Sequence, residues 1–474
     1  MKFMKKILLF AFLMFDACLV SALNPGMKHF VEAPNFKGGN LAVLVKDVKS
    51  GKTVLDYRGE KSLMPASNMK LITTATALEL LGADFRFETP LEYDGTVDAQ
   101  GVLHGNIYIV GSGDPSIGSE VFNDHDFIKR WVDAVQKAGI KTVLGHIIAD
   151  VSAFDKEVTP PDWTWENMGN YFAAGVFGLS VYDNMYAIHF KTGAPGTTPR
   201  ILGTTPAMYE MVFHNMLKAG KTGEDDDDGY LHGAPFCNER YITGTIPSNR
   251  ELFSIHGDMP NPPLKLAALF TEKLNEAGVV VSGVPLDEIQ NSSKHTRFFV
   301  HQSPTLAEIV KETNMQSNNL YAEHVFKRLA LINNAVATRD EATRIVRDFW
   351  KQHGADVSTL FQHDGCGMSP MNGVSPRFFV ELLSYMRTQS KYKEAFFKSL
   401  PVAGQSGTLK KLLDGTPLAG KVMAKSGSIR RVLCYSGYME LDNREYAFSV
   451  MVNNYTGSSA DARKVIEQLL LSVR

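Results

Sequence analysis

Apolar and polar residues follow two different periods along this chain, and the changes of period divide it. Leu41 to Val48 and Thr53 to Tyr57 are β-rich, and Lys49-Ser50-Gly51-Lys52 supplies a turn between them, so the pattern predicts a hairpin. Leu71 to Leu81 then follows a helical period, with Ser67 placed as its cap and Gly82 as its stop. From Asp84 to about Leu286 short strand-like runs take over, among them Gly105 to Val110, Val143 to Ala149 and Met185 to Phe190. Helical pieces such as Phe127 to Lys137 interrupt them. Leu306 to Ala330 reads as strongly helical, and Glu341 to Gln352 and Pro376 to Arg387 read as further helices, the last with Ser375-Pro376 as cap and first turn. Strands are predicted over Lys421 to Lys425, Leu433 to Leu441 and Tyr446 to Asn453. Ala460 to Leu471 closes the chain as an amphipathic helix with Val465, Ile466, Leu469 and Leu470 on its apolar side.

Composition sharpens this picture. The 474 residues are 44% hydrophobic, enough for a large core in two or three domains. The formal net charge of -2, without a basic stripe, gives no case for nucleic acid as a partner. Lys2, Lys5 and Lys6 precede an apolar run, Ile7 to Phe15, too short to span a bilayer, and Val20-Ser21-Ala22 offers small residues for cleavage. Residues 1–22 therefore read as a signal peptide, and the protein as exported to the cell envelope, a periplasmic location. A lipid anchor on Cys18 is disfavoured by Asp16. Peripheral association with a membrane stays open, and the oligomeric state is not set by the sequence. Cys237, Cys366 and Cys434 would remain after cleavage, an odd number that cannot all pair within one chain, and no spacing resembles a metal site. Glu224 to Asp228 reads as a solvated loop tip, Gly111 to Pro115 as a tight turn, and Asp124-His125-Asp126 as an exposed loop.

The candidate chemistry lies at Ser67-Asn68-Met69-Lys70. On a helix, positions i and i+3 share a face, so the Lys70 amine can lie beside the Ser67 hydroxyl. A serine is a poor nucleophile at neutral pH and needs a base within hydrogen-bond reach. The start of a helix also supplies N–H groups where an oxyanion could form. Alone, Ser-x-x-Lys is weak, since an ordinary cap beside a solvated lysine looks the same. Two further motifs follow in order: Ser317-Asn318-Asn319 and Lys425-Ser426-Gly427-Ser428. The three together form the signature of penicillin-binding proteins and class A β-lactamases. Ser67 and Ser317 must then meet in one cleft. The expected fold is α+β: a catalytic domain split in sequence into residues 27–83 and 287–474, with a β-rich insertion over 84–286.

With these residues in place the chain resembles the D-alanyl-D-alanine carboxypeptidase/endopeptidase family of the penicillin-binding protein 4 type (class C low-molecular-mass, peptidase family S13). Further matches are Gly113-Asp114-Pro115, Trp163-Thr164-Trp165-Glu166 running into Gly169-Asn170-Tyr171, and Gly178-Leu179 with Asp183-Asn184. Asp364 to Ser369 and Leu400 to Gly404 with Gly407-Thr408-Leu409 complete them. The resemblance implies a transpeptidase/β-lactamase-like domain, an antiparallel sheet flanked by helices, with the inserted β-rich region forming two domains. It implies cleavage of D-Ala-D-Ala or of cross-links in peptidoglycan stem peptides, with β-lactams as covalent inhibitors and no metal or organic cofactor. In that reading Ser67 is the nucleophile, Lys70 the base, and Ser317 the proton relay. Asn319 orients Lys70 and binds the substrate amide. Lys425, with Ser426, Gly427 and Ser428, receives the terminal carboxylate, and the N–H groups of Ser67 and Ser428 form the oxyanion hole. Three departures stand out: Lys-Ser-Gly in place of Lys-Thr-Gly, Cys366 where many relatives have Ser, and Pro370 where several have a basic residue that in some holds a carboxylate of the stem. Two competing functions remain. A β-lactamase would need a second base, for which Glu166 with Asn170 has the spacing but an inserted, Trp-rich setting. A catalytically idle wall-binding protein would not need the intact motif set.

Overall fold

A computed structural model describes residues 25–221, 227–287 and 295–473. The expected signal peptide with Cys18 and most of the acidic run at 224–228 lie outside the described residues.

The predicted hairpin forms, Asn40–Asp47 pairing with Thr53–Tyr57, and it is one edge of a five-stranded antiparallel sheet. The other three strands come from the end of the chain: Val422–Ile429, Val432–Leu441 and Arg444–Asn453. Asn40–Asp47 lies directly against Arg444–Asn453, with Asn40 opposite Asn453. Successive side chains of a strand point to opposite faces, and this sheet is covered on both. Ala42, Leu44, Ala447 and Met451 face a core shared with the helices Met69–Leu81, Leu306–Met315, Asn319–Leu329, Arg339–Gln352 and Pro376–Thr388. Leu41, Val43, Val45, Phe448 and Val450 face the other way, against Pro25–Glu32 and the closing helix Ser459–Leu471. Ile466, Leu469 and Leu470 are buried in that layer, while Val465 packs at its margin.

Met69–Leu81 is the central helix. It is buried without interruption from Met69 to Leu78, so an apolar stripe gives way to an all-round packed surface. Its polar members are satisfied locally: Thr74 and Thr76 donate to the carbonyls of Lys70 and Ile72, both at 2.7 Å. The helix ends as expected at Gly82, which has a positive φ of 94° and whose N–H returns to the Leu78 carbonyl.

Between these halves the described residues build four further sheets. Val143 to Ala149, expected as one strand, divides at Gly145 into Thr142–Val143 and Ile147–Asp150, which join two different sheets. Met185–Lys191, Arg200–Thr205 and Phe253–Asp258 make a third sheet, and the strands from Val212 to Ile246 a fourth. One continuous apolar core, including Leu91, Trp131, Ile188, Leu231, Ile242 and Phe270, joins all of this region. Thr296–Gln302 pairs with Glu88–Tyr93, so this strand, beyond residue 286, belongs to a sheet of the inserted region. No described helix is long and apolar enough to cross a membrane. The described cysteines Cys237, Cys366 and Cys434 are unpaired, the last two buried.

Candidate active site

Ser67 does not cap the central helix. It lies in a turn of 3-10 helix, Ala66–Asn68, that leads into Met69–Leu81. Ala66 has a φ of 46°, a left-handed conformation disfavoured for alanine. The turn is tied to the sheet by Asn68, whose Nδ2 donates to Ser436 Oγ at 2.7 Å. With its hydroxyl uncommitted to a cap, Ser67 accepts from Lys70 Nζ at 3.0 Å.

Lys70 is fully buried, and its ammonium has two other acceptors: Asn319 Oδ1 at 2.6 Å and the Cys366 carbonyl at 2.8 Å. Burial pulls its pKa down, against the opposing pull of Cys366, Asp364 and Glu323.

The long helix expected over Leu306 to Ala330 is broken. Leu306–Met315 stops, and Asn319–Leu329 starts afresh with Asn318 as its cap, accepting from the Tyr321 N–H at 3.1 Å. Ser317 sits in the break with a φ of 62°. This kink puts Ser317 and Asn319 on the cleft. Lys425 Nζ donates to Ser317 Oγ at 2.9 Å and to the Ser426 carbonyl at 2.8 Å. Lys425 is fully buried and held well below the usual lysine range by burial and then by the Lys70 charge. Ser426 Oγ donates to Thr408 Oγ1 at 2.7 Å, and Ser428, on the same strand Val422–Ile429, is exposed. Gly427 lets this strand approach the serine turn, because a Cβ there would lie 2.4 Å from the Pro65 carbonyl oxygen. All three motifs therefore meet in one cleft.

Several contributors escaped sequence reasoning. Asn319 Nδ2 donates to the Phe172 carbonyl at 2.8 Å, which couples the cleft to the inserted chain. Behind Lys70, the loop bearing Cys366 is fixed by buried Asp364, whose carboxylate accepts from Trp163 Nε1, the N–H groups of Gly367 and Ser369, and Asn372 Nδ2, all within 2.9 Å. Gly367 has a φ of 92°, and a Cβ on it would lie 1.8 Å from the Ala66 carbonyl oxygen. Their only signal in the sequence was membership of the matched segments around Trp163 and Asp364. Glu323, Asp364 and Cys366 place acidic and thiol atoms within 4.8 Å of one another, a spacing open to a metal. Both Asp364 oxygens are already committed to protein donors, and the Lys70 ammonium stands alongside, so this cluster reads as hydrogen-bonded framework.

Glu166 stands on the rim, 3.6 Å from Arg430 and largely exposed. Asn170 exchanges two hydrogen bonds, each of 3.0 Å, with the Leu231 backbone. Both side chains are occupied in ways that do not prepare a catalytic water.

A Ser-x-x-Lys turn, a Ser-x-Asn bend and a Lys-Ser-Gly strand in one cleft is the arrangement of the serine hydrolases that react with penicillin. The family model described as the D-Ala-D-Ala carboxypeptidase 3 (S13) family matches residues 23–472, and the chain belongs to that family of hydrolases. It is 29% identical over 457 residues to a D-alanyl-D-alanine carboxypeptidase of Actinomadura sp. (strain R39), covering 92% of this chain and 82% of that one. It is 23% identical to D-alanyl-D-alanine carboxypeptidase DacB of Haemophilus influenzae, covering 90% of this chain and 88% of that one. The crystal structure of penicillin binding protein 4 from Haemophilus influenzae superposes with a TM-score of 0.79 at 22% identity, over 94% of this chain and 98% of that one, and shares the fold.

Proposed function

We propose that the protein removes the terminal D-Ala from peptidoglycan stem peptides, or opens D-Ala cross-links between stems, through an acyl-enzyme on Ser67. The observation that carries this is the pair of Ser–Lys contacts, Lys70 to Ser67 at 3.0 Å and Lys425 to Ser317 at 2.9 Å, in one cleft. Neutral Lys70 takes the Ser67 proton as Oγ attacks the D-Ala carbonyl carbon. The N–H groups of Ser67 and Ser428 hold the resulting oxyanion, each such donor being worth about 3 kcal/mol in the transition state. The C–N bond then breaks as Ser317, hydrogen-bonded to Lys425, gives the leaving amine a proton, and the proton that Lys70 took from Ser67 replaces it, which leaves Lys70 neutral again. Water attacks the ester, Lys70 accepts its proton, and the C–O bond breaks to restore the Ser67 hydroxyl. Asn319 orients Lys70 and the substrate amide. Lys425, Ser426 and Ser428 receive the carboxylate, with Gly427 allowing close approach. β-Lactams acylate the same serine.

The polar leader, apolar run and small-residue site at residues 1–22 support export to the periplasm, where such stems are found. The test is digestion of purified muropeptides by the wild-type protein and by Ser67→Ala, with products identified by mass. Loss of D-Ala or separation of cross-linked stems by the wild type alone is the expected result. Rapid steady-state hydrolysis of penicillin without action on muropeptides would point instead to a β-lactamase.

A further inference from the structure

Lys70 owes one of its three acceptors to a peptide group, and that peptide is held by a carboxylate outside all three motifs. Glu323 lies on Asn319–Leu329, one turn beyond Asn319, and is 1% exposed. Its Oε1 accepts from the Cys366 N–H at 2.7 Å, and the Cys366 carbonyl accepts from Lys70 Nζ at 2.8 Å. We propose that Glu323 is a positioning residue for Lys70, acting through the Cys366 backbone and through its own charge. This rests on the reading of Lys70 as the base.

Two features make the link mechanical. The Cys366 loop cannot settle elsewhere, because Asp364 anchors it through four donors and the Thr73 hydroxyl of the central helix donates to the Gly365 carbonyl at 2.7 Å. Asn319 and Glu323 also share one face of one helix, so Lys70 receives both acceptors from a single rigid element, one directly and one through the loop.

The charge acts in parallel. The groups that face Glu323 are Asp364 and the Cys366 thiol from the loop, Lys70 from the central helix, and Arg339 from the next helix, its Nε 3.9 Å away. Arg339 offsets this only in part: burial, followed by Asp364, pushes the Glu323 carboxyl up to about 7 against the Arg339 charge, so it gains charge through neutrality. That charge raises the proton affinity of Lys70 against the desolvation that lowers it.

Glu323→Gln and Glu323→Ala separate the two effects. The amide retains an acceptor for the Cys366 N–H but carries no charge; alanine retains neither. Acylation of the full-length protein by a reporter penicillin is followed by stopped flow from pH 5 to pH 10, with the Ser67 adduct confirmed by mass. Glu323→Gln is expected to keep the plateau rate within about threefold while the rising limb moves to lower pH by about one unit. Glu323→Ala is expected to lose about tenfold or more at every pH, with initial penicillin binding unchanged. A Glu323→Gln limb that stays in place, or a plateau that falls as far as that of Glu323→Ala, overturns the proposal. If Glu323→Ala does not fold, the limb of Glu323→Gln decides alone. Absence of a Ser67 adduct in the wild type would instead overturn the functional reading beneath it.

Discussion

Gly427 lies so close to Pro65 that no other residue fits: a Cβ on Gly427 would stand 2.4 Å from the Pro65 carbonyl oxygen and 3.0 Å from the Asn68 nitrogen. Both obstacles are backbone, so neither can rotate aside. Gly427→Ala must therefore move the Lys425 strand away from the turn that carries Ser67. Acylation should fall about tenfold or more, equivalent to about 1.4 kcal/mol, with a loss of stability of about 1–3 kcal/mol. Stopped-flow acylation and urea denaturation of the same variant measure both. Wild-type acylation would mean that the strand and the turn move independently.

The two lysines should separate by kinetic step. Lys70→Ala removes the group in contact with Ser67 and is expected to slow acylation about 10²–10⁴-fold while leaving initial binding intact. Lys425→Ala also removes the group proposed to receive the substrate carboxylate, so binding and acylation should both weaken. Transient kinetics with penicillin and with a D-Ala-D-Ala peptide resolve the two. A Lys70→Ala protein that acylates at the wild-type rate removes Lys70 as the base.

Asp114 gives a pH signature away from the site. It is 1% exposed, and burial pushes its carboxyl from 3.8 up to about 6 against the opposing hydrogen bonds from Ser116. A raised folded pKa favours the folded state in its protonated form, so this stabilisation is complete below about pH 4 and is lost as pH rises through about 6. Asp114→Asn stays neutral and keeps an acceptor for Ser116. Its stability relative to wild type should rise by up to about 3 kcal/mol between pH 4 and pH 7 and stay level below pH 4. Urea denaturation at a series of pH values is the check, and a difference independent of pH would rule out Asp114 as the titrating group.

Substrate discrimination by a side-chain carboxylate of the stem should be weak. Pro370 offers no charge, and Arg377, the nearest downstream base in sequence, is held by Asp56 at 3.3 Å and by Glu60 while its N–H donates to Gly59. A charge-assisted hydrogen bond to a carboxylate contributes about 1.5–3 kcal/mol where it exists. Without one, the ratio of kcat/KM for a stem with a free carboxylate to one with an amide should stay under about tenfold, or about 1.4 kcal/mol. Paired kinetics on the two peptides settle it. A hundredfold preference abolished by Arg377→Ala would show that Arg377 reaches the substrate.

The elements with a clear period were legible before any coordinates. The hairpin, Phe127–Lys137, Pro376–Thr388 with its Ser375 cap and the closing helix stand where the pattern puts them. What escaped was local backbone choice. Leu306 to Ala330 has one continuous helical pattern, yet Asn318 starts a new helix and Ser317 takes a left-handed conformation that no period reveals. Ser67 looked like a cap because serine favours that role, but tertiary ties through Asn68 and Ser436 place it inside the turn instead. The pairing of Thr296–Gln302 with Glu88–Tyr93 is a long-range choice that hydrophobicity along the chain does not encode. The motif residues were legible as chemistry, whereas Glu323 and Phe172 contribute through a backbone group and left no such mark.

The strand Asn40–Asp47 completes its pairing only with Arg444–Asn453, near the far end of the chain. During synthesis Ser67 is thus made early and its surroundings last. Lys70 lacks Asn319 and Cys366, and the Ser67 turn lacks Ser436, until nearly everything has been delivered. The inserted region, with its own core, has all its residues by Gln302 and can form first. A partly made chain consequently carries Ser67 without the surroundings that would activate it. The order of the strands ties completion of the Ser67 site to the arrival of the last strand.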